Sequence, residues 1–393
     1  MLHASPIVST QHEVAGFARE NGAVGVRNHL LILNLTGLTE MAARRAQAQL
    51  PGALCVSFPY GMGLVGADLA ASTRLLAGLA SHPNVGGAVL VSADRTRLEQ
   101  VMAALDGRSA MVDLCLDRVG HDALALTGDI VRAAAHLARR VSLQQRAPIS
   151  LDKLCIGVEC GLSDPTSGLA ANRLIGAVTD RVVGAGGTVI MGETLEWLGV
   201  EDKLAARAVS PDVAEAITEA VARREALAQA AGIDLLGINP NRRNIEEGLT
   251  TIEEKAAGSI AKSGTAPIAG VLAQGEAPRG PGLWLMDQPS YSPESLTGFA
   301  AAGAQVALFS TGSGNSYTSA LMPTIKITGN AETASRLDTQ IDFDCSALMA
   351  GAPFEAAAER LLDHLCAVAS GALTFGEILG EGTEAFSRYG EAL

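Results

Sequence analysis

The chain has 393 residues, a formal net charge of −13 and only 4% aromatic residues. So acidic a chain excludes a broad nucleic-acid surface, which needs clustered Lys and Arg, but not a small anion held by one Arg or a helix N-terminus. No window approaches about eighteen uninterrupted apolar residues, and MLHASPIVSTQHEVAGFARENG lacks a basic segment followed by an apolar one, so neither a membrane span nor a signal peptide is expected.

In chain order, short apolar runs alternate with helix-like segments. HLLILNLT (29–36) predicts a strand, TEMAARRAQAQL (39–50) a helix, ALCVSF (53–58) a strand and the stretch near 67–80 a helix. GGAVLVSA (86–93) and SAMVDLCL (109–116) predict two more strands with a helical segment between them, and a helix over 123–140 follows. Buried runs of this length separated by helices imply parallel sheets covered on both faces. The polar, proline-containing stretch SLQQRAPISLD (142–152) predicts a domain boundary.

Beyond it KLCIGVEC predicts a strand, 168–184 a helix, TVIMGET (188–194) a strand and 211–232 a long helix. Residues 239–264 carry a helix in their second half; GLWLMD (282–287), AQVALFSTG (304–312) and TIKIT (324–328) are further strands, before two C-terminal helices. The expectation is an α/β protein of two domains, 1–145 and 150–393, with mainly parallel sheets flanked by helices. The six cysteines (55, 115, 155, 160, 345, 366) form no CxxC pair. That predicts free thiols in a reducing cytoplasm rather than a disulfide framework.

Ligands of open α/β sheets bind where strand ends, loops and helix N-termini converge. Four stretches have that form: FPYGMG (58–63), ECGLSDP (159–165), GETLE (192–196) and FSTGSGNSY (309–317). They supply Glu159, Cys160, Ser163, Asp164 and Glu193, and a run of small donors that could cradle an oxyanion. Bland readings stand beside these. Ser163 and Asp164 could cap the following helix, Cys160 could be a nucleophile, a metal ligand or an inert thiol, and Arg27 is as much a salt-bridged structural arginine as an anion clamp. No HxxxH, HExxH or Cys/His cluster appears, so spacing shows no metal site.

Read together, GVRNHLLIL, ECGLSDPTSGLAAN, GGTVIMGET, NIEEGLTTIEEKAAGSIAKSG, GLWLMD, FSTGSGN and PTIKITGN resemble the altronate/galactarate dehydratase family over nearly the whole chain. NIEEGLTTIEEKAAGSIAKSG and EAPRGPGLW look most like its sulfolactate sulfo-lyase branch. The resemblance implies a lyase: β-elimination from a small 2-hydroxy acid to a 2-oxo acid, with sulfite or water leaving. A sugar-acid dehydratase and a catalytically inactive binding or regulatory homologue are the alternatives.

The resemblance further implies a divalent metal (iron or magnesium), a separate small SAF-domain subunit, a homo-oligomer, and no nucleic-acid or membrane partner. It makes Glu159, Cys160, Ser163, Asp164 and Glu193 the expected catalytic group. Expected substrate-binding residues are Arg27, Asn28, Tyr60, Asn172, Thr311, Gly312, Ser313, Gly314, Asn315 and Lys326. The matching first-domain loops TGLTE (36–40), FPYGMG and SADRTR (92–97) hold no cysteine, where the sugar-acid dehydratases carry plausible iron ligands. Phe58 and Met62 stand where the sulfo-lyase branch is expected to keep a histidine and a basic residue, and with Leu162 they suggest an altered pocket.

Overall fold

The computed structural model describes residues 13–105 and 110–393. Residues 1–12 of the N-terminal stretch, and Ser109 at the head of the strand expected at 109–116, lie outside the described residues. The first strands are β1 (Val14–Ala18), β2 (Val24–Gly25), β3 (His29–Asn34), β4 (Ala53–Ser57), β5 (Val85–Ser92), β6 (Ala110–Cys115) and β7 (Ala147–Ile149). β3 to β6 form a four-stranded parallel sheet in the order β4-β3-β5-β6. β5 is buried along all eight residues, the uniformly apolar pattern of a strand covered on both faces. Ala42, Ala43, Ala46, Leu126, Ile130, Ala134 and Leu137 from two helices cover one face. Leu75, Leu76, Leu79, Leu98 and Val101 cover the other.

The expected break at 142–152 holds β7, which returns antiparallel onto β1 with Val14 opposite Ile149 and Gly16 opposite Ala147. β2 completes this small sheet on the other edge of β1. The Arg146 side chain fastens the return, donating to the carbonyls of Ala15 (2.6 Å) and Val26 (2.8 Å). A three-residue strand is too short to show a period of two.

The second sheet contains β8 (Cys155–Cys160), β9 (Thr188–Met191), β10 (Ile268–Ala273), β11 (Gly282–Asp287), β12 (Val306–Ser310), β13 (Thr324–Thr328) and β14 (Phe343–Asp344). It is wholly parallel, in the order β10-β11-β9-β8-β12-β13-β14. β10, IAGVLA, is an edge strand whose Ala and Gly residues weaken its β signal. The helix Ser292–Ala301 also carries little sequence signal, and its Pro293 sits in the first turn. This helix joins the two sheets: Leu296, Phe299 and Ala300 pack in one cluster with Leu31, Leu33 and Leu76. Among the described residues no helix is long and apolar enough to cross a membrane.

Candidate active site

From β8 the chain passes to β9 on one side and later returns to β12 on the other, so the switch point of the seven-stranded sheet lies between β8 and β12. Strand order reverses there, and the diverging connections leave a crevice beyond the strand ends. Ser310 pairs with Cys160, and the Gly161 amide donates to the Ser310 carbonyl at 3.0 Å. A pocket of about 430 Å³ opens at this point. Cys160, Leu162, Glu193, Glu196, Asn239 and Lys255 line it, with Asn241, Asn244, Ser292, Asn315 and Tyr317 completing a polar wall. A Cβ at Gly161 would come within 2.7 Å of the Ser292 hydroxyl and 2.9 Å of the Asn315 amide, so a side chain there would displace both groups from the pocket wall.

Glu193 is presented by a tight turn after β9. Its φ of +62° lies in the left-handed region, as does that of Leu162 at +53°. For non-glycine residues such backbone costs about 1–3 kcal/mol and persists where surroundings over-determine it. Those surroundings are visible: the Glu196 amide donates to Glu193 O (2.7 Å), Trp197 Nε1 to Gly192 O (3.2 Å) and the Thr194 hydroxyl to Asp287 (2.7 Å). The Glu193 carboxyl accepts no hydrogen bond from a described residue, though its side chain is 4% exposed and borders the pocket.

Behind Glu193 lies a charged cluster. Lys262 Nζ lies 2.5 Å from Glu196 Oε2 and 3.1 Å from Cys160 Sγ. Lys255 Nζ donates to Glu196 Oε1 at 2.8 Å and to Asn239 Oδ1. The Cys160 thiol lies 3.3–3.4 Å from both Glu196 oxygens, and the Ser295 hydroxyl donates to Glu159, which also accepts from the Cys160 amide (2.9 Å). Both lysines come from the segment after Thr251, seven residues apart and hence on one helical face with Ser259 between them.

Burial alone would raise the Glu196 carboxyl, but Lys255 and Lys262 overcome it and hold it far below the usual carboxylate range. Burial lifts Glu159 to about 7, with Lys262 opposing and Glu196 adding to the rise. Glu193 is raised well above its ordinary value by burial and by Glu159 and Glu196. Burial, then Glu196, pushes the Cys160 thiol up. Burial works against the charge on each lysine, and the Glu196 carboxylate and Cys160 sulfur more than restore it. At neutral pH Glu196 is ionised, both lysines are charged, and Glu193 keeps its proton far more readily than a surface glutamate.

The sequence family described as D-galactarate/altronate dehydratase, C-terminal, matches residues 151–391, and the second domain of D-galactarate dehydratase/altronate hydrolase matches 16–141. The chain belongs to the D-galactarate/altronate dehydratase family. Among its relatives is the (2R)-sulfolactate sulfo-lyase subunit beta of Chromohalobacter salexigens, 34% identical over 93% of this chain and 94% of that protein. Altronate dehydratase of Escherichia coli is 31% identical over 95% of this chain and 77% of its own length. The Bacillus subtilis altronate dehydratase is 28% identical over 94% and 76%. These relatives are lyases by name, which agrees with the family-level expectation.

Of the residues expected in this dehydratase-family site, Cys160, Glu193 and Asn315 border the pocket and Glu159 stands behind it. Asp164 is engaged as a cap: it accepts from Thr166 (2.6 Å), the Ser167 amide (3.0 Å) and Asn330 (2.8 Å). The Ser163 hydroxyl is buried without a partner among the described residues. The amides of Gly312 and Ser313 donate to the Leu162 carbonyl, and the Thr311 hydroxyl accepts from the Gly314 amide (3.1 Å), so this loop braces the Leu162 turn.

The remaining anchors have other partners. Arg27 is held by Glu377 (2.6 Å) and the carbonyls of Val368 and Ala372. Asn28 bonds the Val141 carbonyl, Asn172 the Gly258 carbonyl and the Ser310 hydroxyl, and Tyr60 the Phe386 carbonyl. Lys326 faces Glu381 at 3.4 Å. Leu162 borders the pocket, but Phe58 is buried edge-on against Tyr60 and Phe386 beneath the Arg97 guanidinium, and Met62 is exposed. Glu196, Lys255, Lys262 and Asn239 were not among the expected residues.

Glu159, Cys160 and Glu196 each offer a ligand atom within 4.8 Å of the others, so by spacing this buried trio could hold a metal ion. Its charge is already met: both Glu196 oxygens and the Cys160 sulfur are in contact with lysine ammonium groups. With Lys262 in place, the trio does not fit a divalent cation.

Proposed function

We propose that this pocket carries out β-elimination from a small 2-hydroxy acid, yielding a 2-oxo acid. The observation that carries this reading is the free Glu193 carboxyl beside the Lys255 ammonium at the switch point. Glu193 removes the proton on the carbon bearing the substrate carboxylate. A carboxyl whose proton affinity is raised is, once ionised, a stronger base than a surface glutamate. The electron pair of the broken C–H bond becomes the new C=C bond as the β-substituent departs with its own bonding pair. The enol then tautomerises to the 2-oxo acid.

Positive charge near the substrate carboxylate stabilises the electron density that builds there. Sulfite departs as a stable anion; hydroxide needs a proton, which the donors along the pocket wall can relay. Cys160 forms no bond to substrate in this scheme, because elimination needs no covalent intermediate and its thiol is held protonated. The expectation of iron or magnesium enters no step, since the trio is already neutralised by lysine.

Sulfite release is the first choice of leaving group, supported by the 34% identity to a sulfolactate sulfo-lyase subunit over most of both chains. Sugar-acid dehydration is the second, supported by the altronate dehydratases. That relative's designation as subunit beta supports a partner chain, which we take to be a small SAF-domain subunit; the described cysteines are all free, in keeping with a cytoplasmic setting.

The test is incubation of the purified chain, alone and with its small subunit, with sulfolactate, altronate and galactarate. Sulfite with 2-oxo acid establishes the first reading, and 2-oxo acid without sulfite the second. No 2-oxo acid from any of them, with partner and metal present, overturns both.

A further inference from the structure

The two lysines of the cluster differ in how fully their hydrogen-bonding capacity is spent within the protein. Lys255 and Lys262 are both cations, and among the described residues Glu196 is the carboxylate in direct contact with each, with Glu193 and Glu159 farther off. Glu159 is turned toward Ser295 and the Cys160 amide, and Glu193 has no hydrogen bond from a described residue. Lys262 is fully enclosed and spends its contacts on Glu196 and Cys160, whereas Lys255 borders the pocket. Lys255 is therefore the ammonium at the pocket wall, almost wholly buried and with one of its three donors unspent. A buried ammonium with a donor left unpaired is costly, and an anionic acceptor that reaches it relieves that cost.

We propose that Lys255 is the anchor of the substrate carboxylate, and that Lys262 is a positioning residue that keeps a divalent metal ion out of the Glu159–Cys160–Glu196 trio. The inference rests on the elimination reading and names the group that holds the acid. A dication placed among the three ligand atoms would stand at contact distance from two ammonium ions in a site with little water to screen them. The lysines thus supply at this point the positive charge that a metal would otherwise bring. Glu196 and Asn239 take two of the three donors of Lys255, leaving the third for an incoming carboxylate.

Two measurements test this. The first is metal content by mass spectrometry after incubation with Mn2+ or, without oxygen, Fe2+, followed by desalting. Wild type is expected to retain no more metal than Cys160→Ala, while Lys262→Met, whose fold is checked by its melting curve, gains an equivalent. An equivalent bound by wild type and lost in Cys160→Ala overturns the exclusion, and that comparison needs no lysine variant. The second is calorimetric binding of malonate, a plain dicarboxylate that cannot undergo elimination. Lys255→Met is expected to weaken it roughly tenfold to a hundredfold, as for loss of a charge-assisted hydrogen bond, with Lys255→Arg in between. Wild type that does not bind malonate, or a folded Lys255→Met that binds it equally, overturns the anchor. Malonate binding that depends on Lys255 in a chain turning over none of the acids upholds the anchor while sinking the elimination reading.

Discussion

Each of the two parallel sheets has a point where strand order reverses, and the two are filled in opposite ways. At the end of β3, Asn34 donates to the Ser57 hydroxyl and the Thr36 carbonyl (2.7 Å each) and accepts from the Thr39 hydroxyl (2.5 Å), while Thr36 accepts from the Ala93 amide (2.9 Å). Short neutral side chains satisfy one another there. At the end of β8, two lysines and three glutamates converge with a thiol, and the set stays incomplete: a carboxyl with no hydrogen bond from a described residue and an ammonium border a pocket. The difference lies in whether the polar groups of a strand end can close on themselves. A self-satisfied network offers a ligand nothing, whereas an unclosed charged one is held in place by its fold and completed by what binds.

The strongest way to break this contrast is to remove the group on which both lysines depend. Glu196→Ala leaves two buried ammonium ions without a counter-ion, and breaking such a pair costs about 3–5 kcal/mol. Chemical denaturation should show that loss, and turnover should vanish with it. A variant as stable as wild type would mean the lysines do not need Glu196.

Next in size is Glu193→Gln, expected to lower kcat by roughly 10²–10⁴-fold, as for loss of a general base. Stability should change little, because the carboxyl accepts no hydrogen bond from a described residue. In wild type the acidic limb of the pH profile should lie well above the ordinary carboxylate range, the direction in which burial and Glu159 push this group. An unchanged limb in Glu193→Gln would assign the base elsewhere.

The strand-end half of this site was legible in the sequence: ECGLSDP and GETLE place Glu159, Cys160 and Glu193 at the ends of β8 and β9, since an apolar run that stops at polar residues marks a strand end. The lysines were not read, although TTIEEKAAGSIAKSG holds a signal for them. Lys255 and Lys262 are seven residues apart on a face otherwise made of Ala and Ser, the pattern of a buried stripe interrupted by charge. Arg27 and Lys326 looked like anchors because their partners, Glu377 and Glu381, lie about 350 and 55 residues away in sequence. Pairings of that range leave no local trace. β7 and β14 were missed for a simpler reason, since two or three residues cannot display a period.

A smaller effect separates the buried acids by pH. The folded pKa of Glu159 is raised, so between its unfolded value near 4.5 and about 7 the folded state holds a proton that the unfolded state has lost. The Glu159 contribution should fall as pH rises through that window and level off above it, by roughly 3 kcal/mol at most for a shift of this size, while Glu193, raised in the same direction, adds a slope of the same sign. Glu159→Gln, which keeps an acceptor for Ser295, should flatten the slope. Glu196 acts in the other direction: its lowered pKa gives stability that is present above 4.5 and lost only as pH falls toward its folded value. A slope unchanged in Glu159→Gln would show that another group carries the proton.

The smallest expected effect sharpens the comparison from the other sheet. Asn34 is fully buried, and truncating it removes its bonds to the Thr39 hydroxyl, the Thr36 carbonyl and the Ser57 hydroxyl, although the Thr39 amide and hydroxyl still reach the Thr36 carbonyl at 3.2 Å. Losing a typical hydrogen bond of this kind costs about 0.5–1.5 kcal/mol, and a lower denaturation midpoint should report it. Because the network is neutral and closed, nothing in it is poised toward a ligand, and turnover per folded molecule should not change. The variant therefore tests the contrast where it is most exposed. If Asn34→Ala altered kcat or KM while the fold held, the first strand end would be acting on the substrate through the helix Ser292–Ala301, which touches both sheets. A loss confined to stability instead identifies the first sheet as scaffold, with the chemistry left to the cluster whose hydrogen-bonding groups do not all close on one another.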